Sequence, residues 1–176
     1  MTISCVSYIL RVMAEERGNR IASWSDTYSV GIKFIDDQHK GLLDFVNDLF
    51  NHATGNADEE HAYFQEVIQQ AKQYISDHFV TEEECMMATD FPGYFEHKRA
   101  HDEFKLAVIK SVNDYNAGKI LTLSNFANFL KEWIATHVAK MDNQYSFYFK
   151  KIAAIKKDGK LNNVLAEIIG RREKMA

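Results

Sequence analysis

The sequence predicts an all-α fold: an up-down-up-down antiparallel four-helix bundle with additional helical segments at its N and C termini. Three observations predict it. Proline occurs once in 176 residues, at Pro92, so almost nothing interrupts a helical backbone. β-branched residues never alternate over a strand length, whereas apolar residues recur at the spacing that gathers them on one helix face. Short breaks separate stretches of similar length, and short loops make consecutive helices antiparallel neighbours.

Each element has its own signal. Residues 24–31 are non-periodic, and Gly31 permits a turn before Asp36 or Asp37 supplies negative charge to a helix start. The first helix is predicted from about 35 to 52 on Leu42, Leu43, Val46, Leu49 and Phe50. Thr54, Gly55 and Asn56 break it. The second runs from 58 to about 87, its buried face made by Phe64, Val67, Ile68, Ala71, Ile75, Phe79 and Met86. Asp90-Phe91-Pro92-Gly93 is a stop signal, because proline lacks an amide donor and glycine tolerates the angles of a tight turn. A third helix, to about 115, carries His97, His101, Phe104, Val108 and Val112, and Gly118 offers a left-handed cap. The fourth starts near Thr122 and extends to about 150, with Phe126, Leu130, Trp133, Ile134, His137, Met141 and Tyr145 inside. Beyond these, Cys5, Tyr8, Ile9, Val12 and Met13, and again Leu161, Val164, Leu165, Ile168 and Ile169, form compact amphipathic stripes. The expected organisation is an N-terminal helical extension over 1–22, a bundle over 23–150 and a C-terminal amphipathic helix over 151–176. Packing onto the bundle is the plain use of the terminal stripes, and pairing two chains into a homodimer is the alternative.

Bulk properties exclude several classes. Lysine and arginine number 21 against 25 acidic residues, a net charge of −4, with no long basic run to draw the chain to nucleic acid or an acidic bilayer. At 46% hydrophobic the chain suits one compact domain with a real core. The two cysteines, Cys5 and Cys85, are far apart and lack metal-like spacing, which fits a reducing, cytoplasmic compartment. Residues 1–10 are mildly apolar but lack a basic leader and a long apolar stretch, so they read poorly as a signal peptide. No apolar run approaches the roughly twenty residues of a membrane span.

The chemistry concentrates in the histidines. Of His39, His52, His61, His78, His97, His101 and His137, all but His52 and His61 fall on or beside the apolar stripes. Burying imidazole costs desolvation unless each ring nitrogen finds a partner, and a shared metal site would offset five such costs together. His97 and His101, at i and i+4, point from one helix face to one spot, and His78 and Glu82 repeat that spacing. His39 and His137 come from the other two helices. Asp142 lies five residues after His137, off its face on an ideal helix, so a local π-type widening or a different depth of approach is required. If two octahedral metals share five imidazoles, two bridging carboxylates and one solvent-derived bridge, one position stays open for a small ligand such as dioxygen. Carboxylate-rich sites support the high-valent iron that attacks C–H bonds. Here only two carboxylates stand among neutral imidazoles, which favours oxygen that binds and leaves.

Together, His39, His78-x-x-x-Glu82, His97-x-x-x-His101 and His137-x-x-x-x-Asp142 resemble the complete ligand set of the bacterial hemerythrins. So do Tyr28-Ser-Val-Gly-Ile, Ile35-Asp-Asp-Gln-His39-Lys, Phe91-Pro-Gly-Tyr-Phe-Glu-His97-Lys and Trp133-Ile-Ala-Thr-His137, and the likeness covers about 23–148. It implies a hemerythrin-like di-iron domain with one iron held by His97, His101 and His137 and the other by His39 and His78. Glu82, Asp142 and an oxo or hydroxo group would bridge them, and molecular oxygen would bind at the iron held by two histidines. The implied function is reversible oxygen binding for storage, delivery or sensing by a protein that is not an enzyme. The alternatives are a di-iron peroxidase or nitric oxide reductase and an oxygen- or redox-responsive regulatory module. His52 and His61 read as surface residues and Cys85 as a small buried hydrophobe. Trp24, Phe79 and Trp133 either line a dry oxygen pocket or are simply core.

Overall fold

A computed structural model describes residues 20–119, 122–156 and 160–175, and among them every regular element is helical. A 3-10 turn, Asp26–Tyr28, precedes α1 (Lys33–Asn51), α2 (Ala57–Ala88), α3 (Tyr94–Asn116) and α4 (Leu123–His137). α4 passes through a π-helical turn, Val138–Asp142, into α5 (Asn143–Lys156), and α6 (Lys160–Met175) follows. The backbone stays right-handed through both ends of the π turn, so α4, the turn and α5 act as the fourth bundle helix. It continues to Lys156, past the expected end near 150. The N-terminal stripe from Cys5 to Met13 lies outside the described residues. No described helix is long and apolar enough to cross a membrane.

Local chemistry explains the boundaries. Gly55, at φ +85°, reverses the chain, and the Asn56 side chain then accepts from the Asp58 and Glu59 amides to start α2. Thr122 caps α4 through the Asn125 amide. α1 has no side-chain cap; instead Asp36 in its first turn accepts from the Val30 amide at 2.8 Å and the Ser29 hydroxyl at 2.7 Å. At the α2–α3 junction the left-handed residue is Asp90, at φ +54°, whereas Gly93 keeps an ordinary angle. Aspartate enters that region more readily than most L-residues. Glycine stands at 93 for room, since a Cβ there would meet the Phe91 ring at 2.7 Å. Gly41 serves likewise: a Cβ would come within 2.5 Å of the Tyr74 hydroxyl, which bonds the Gln38 carbonyl and draws α1 against α2.

Two apolar clusters fill the bundle. The larger gathers Leu42, Val46 and Leu49 of α1 with Phe64 and Ile68 of α2, Phe104 and Val108 of α3, and Phe126 and Leu130 of α4. The smaller gathers Val30, Ile35, Cys85, Met86, Phe91, Tyr145 and Phe149, and α6 adds Ile168. Arg171 and Arg172 of α6 fasten to Glu84 of α2 at 3.1 Å and 2.5 Å. Near the other end, buried Asn47 accepts from the Ile21 and Ala22 amides, both at 2.9 Å, and donates to the Ala22 carbonyl, pinning the incoming chain to α1. Between the two clusters α1, α2, α3 and the fourth helix turn polar groups inward.

Candidate metal centre

All seven side chains singled out from the sequence converge there. His39 comes from α1, His78 and Glu82 from α2, His97 and His101 from α3, His137 from the last residue of α4 and Asp142 from the last of the π turn. None is more than 3% exposed. The i, i+4 pairs meet because one helical turn separates them. Residues five apart would lie about 140° round an ideal helix. The i to i+5 winding of the π turn removes that offset, and Asp142 Oδ1 lies 3.2 Å from His137 Nε2.

The Nε2 atoms of His97, His101 and His137 form a near-equilateral triangle with sides of 3.1, 3.0 and 3.1 Å. Metal–nitrogen bonds of about 2.1 Å at right angles would place ligand atoms about 3.0 Å apart, against roughly 3.4 Å for tetrahedral angles. The triangle therefore matches one face of an octahedron. The carboxylates divide between the two histidine groups. Glu82 Oε2 lies 3.3 Å from His101 and 3.6 Å from His97, while its Oε1 lies 3.6 Å from His39 and 3.7 Å from His78. Asp142 Oδ1 faces His97 and His137 at 3.3 and 3.2 Å, and its Oδ2 faces His39 at 3.3 Å. Each acid thus presents one oxygen to the three-histidine group and the other to the two-histidine group.

An outer layer aims the rings. His39 Nδ1 lies 3.2 Å from the Tyr28 carbonyl, His78 Nδ1 3.1 Å from Gln38 Oε1, and His101 Nδ1 3.0 Å from Glu83 Oε1. With Nδ1 donating, a neutral ring turns the lone pair of Nε2 into the cluster, the arrangement that orients metal-bound histidine. Phe79 stacks on the His101 ring at 3.7 Å and Trp133 on His137 at 4.2 Å. Trp24 instead packs beside Tyr28 under the Lys40 ammonium. Tyr145, wholly buried, donates to Glu82 Oε1 at 2.5 Å. Sequence reasoning missed Gln38, Glu83 and the Tyr28 carbonyl. The one signal was that Gln38 and Glu83 are polar residues adjoining predicted ligands. His52 and His61 are exposed, stacked on Tyr63 and Tyr115.

The cluster calls for positive charge. Burial opposes ionisation of Glu82 and Asp142, yet the surrounding imidazoles hold Glu82 well below its usual range and Asp142 at about 2. Burial alone would push His39 down, but Asp142 and Glu82 overcome it and hold the ring at about 10. Glu82 Oε2, both Asp142 oxygens and His39 Nε2 are nonetheless buried without a hydrogen-bond partner. Orphaned carboxylate oxygens beside imidazole nitrogens, with no thiolate among them, fit cations that accept mixed nitrogen and oxygen ligands, iron included. Two groups could each hold one ion: Glu82 with His97, His101 and His137, and Glu82 with His39 and His78.

Known proteins share this arrangement of helices. The family model described as the hemerythrin HHE cation binding domain matches residues 30–146, which include all seven side chains. A bacteriohemerythrin of Pseudomonas aeruginosa is 30% identical over 122 residues, covering 69% of this chain and 77% of its own length. One of Methylococcus capsulatus is 29% identical over 119 residues, covering 67% of this chain and 88% of its own. A crystal structure of wild-type hemerythrin superposes with a TM-score of 0.62 at 26% identity, over 72% of this chain and 95% of that one.

Proposed function

This chain belongs to the hemerythrin HHE cation-binding family, and on that premise we propose that it holds two irons between its helices and binds molecular oxygen reversibly. His97, His101 and His137 would hold one iron, His39 and His78 the other, and Glu82 and Asp142 would bridge them with an oxo or hydroxo group. The observation that carries this reading is the split of both carboxylates, one oxygen of each toward either histidine group. When bound, the irons supply a reversible redox partner for oxygen at the position that the two-histidine group leaves open.

The chain's own residues suit binding better than turnover. Phe79 and Trp133 lie flat against His101 and His137 and keep water from that side of the site. Gln38, Glu83 and the Tyr28 carbonyl fix ring orientation, and Tyr145 holds a proton on the Glu82 oxygen that faces His39 and His78. Only two carboxylates serve the centre, which limits stabilisation of the high-valent states that oxidise substrates.

The test is optical. The full chain, loaded with ferrous iron without air, should develop a visible charge-transfer band when oxygen is admitted and lose it when oxygen is withdrawn. Failure of the band to form, or to disappear, would refute reversible binding. Sustained turnover of peroxide or nitric oxide with an added reductant would establish the enzyme reading instead.

A further inference from the structure

A π turn carries one residue more than the α-helix around it, which loosens the hydrogen-bond ladder and leaves carbonyls at its margin in need of other donors. A single side chain serves this one. Asn143 Nδ2 lies 3.3 Å from the carbonyl of Val138, 3.3 Å from that of Ala139 and 2.8 Å from that of Thr27. Its two N–H groups are thus shared among two carbonyls of the π turn and one of the 3-10 turn that crosses it. That 3-10 turn and the residues after it are themselves held from α1, because the Tyr28 carbonyl is bonded by His39 and the Val30 amide by Asp36. Asn143 also follows Asp142 directly, so its grip fixes the backbone from which that carboxylate projects.

We propose that Asn143 is a positioning residue for the metal centre. By holding Thr27, Val138 and Ala139 together, it keeps the turn wound at the width that sets Asp142 Oδ1 beside His97 and His137 and Oδ2 beside His39. The proposal rests on the reading of the seven side chains as ligands. Without that grip the segment relaxes toward ordinary i to i+4 winding, and Asp142 rotates away from the face of His137. The second of the two acids then no longer reaches both histidine groups.

The test compares Asn143→Leu, which keeps the bulk and removes the donor, with Asn143→Gln, which keeps a donor on a longer arm. Two readouts avoid oxygen chemistry: amide hydrogen exchange over residues 138–143 in the metal-free chain, and cobalt(II) stoichiometry with its visible ligand-field spectrum. Asn143→Leu should exchange at least tenfold faster over that segment alone and bind its second cobalt at least tenfold more weakly, with the glutamine variant in between. Parent exchange rates and a parent cobalt spectrum in the leucine variant would overturn the proposal, as would a glutamine variant no better than leucine. If leucine prevents cooperative unfolding, Asn143→Ala gives the same comparison. Should the parent chain itself fail to take two cobalt ions, the ligand reading fails, and the exchange rates still decide whether Asn143 holds the turn.

Discussion

Buried together, Glu82 and Asp142 call for positive charge, and His39 is the ring that answers them. Its pKa of about 10 stands above the ordinary 6.5, so in the metal-free chain its stabilising contribution is complete below 6.5 and disappears as pH rises toward 10. His78 works in the opposite sense. Burial holds it at about 4, so stability is also lost as pH falls from 6.5 toward 4. The thermal midpoint of metal-free protein should therefore peak near pH 6.5, and a flat profile between 4 and 9 would contradict this. Metal entering at pH 7 must displace the His39 proton, so loading in weak buffer should acidify the solution, and His39→Ala should acidify it less. Tyr145 offers a further test. Tyr145→Phe removes the donor to Glu82 Oε1 without opening space and should destabilise the chain by about 1–3 kcal/mol in denaturant titration.

The bundle helices have boundaries near those the sequence predicts, because glycine, asparagine and threonine at 54–56 and 116–122 carry the backbone instructions locally. The same holds for the paired ligands, whose i, i+4 spacing is a property of any α-helix. Other features depend on contacts between elements. The His137–Asp142 spacing calls for a π turn or a different depth of approach without choosing between them, since the turn's Val138 and Ala139 carbonyls are satisfied by the Asn143 side chain, which also holds the Thr27 carbonyl more than a hundred residues away in sequence. The roles of Gln38 and Glu83 likewise exist only where helices meet. Asp90 takes the left-handed angle that the Pro-Gly pair led one to expect of Gly93, because Gly93 is needed beside the Phe91 ring. The width of the π turn can be tested directly. Inserting one alanine after Ala139 widens the spacing to six residues and rotates everything beyond it by about 100°. Circular dichroism should still report a helical protein, while bound metal falls below two per chain and the thermal midpoint drops. Two metals bound at parent strength would show that the width of the turn does not set the place of Asp142.

Across the whole molecule, α6 lies beyond the matched family span yet completes the smaller apolar cluster, in which its Ile168 joins Cys85. Glu84 fastens it through two arginines, a paired but partly exposed contact that is worth about 1 kcal/mol. Burial pushes the Cys85 thiol up to about 12, so it should resist thiol reagents. In a Cys5→Ser background, Glu84→Ala should raise the labelling rate of Cys85 severalfold, and an unchanged rate would mean that α6 stays in place without the arginines. A last consequence follows from the enclosure of the seven side chains, none more than 3% exposed. A hydrated cation is too large and too tightly solvated to cross a packed helix wall, so it must wait for the helices to part. Uptake should then follow the rhythm of the protein rather than the supply of metal: at high concentration the filling rate reaches a ceiling equal to the opening rate. Dioxygen, small and apolar, can pass through far slighter fluctuations. The same walls would admit the gas readily and release the metal only when the helices part.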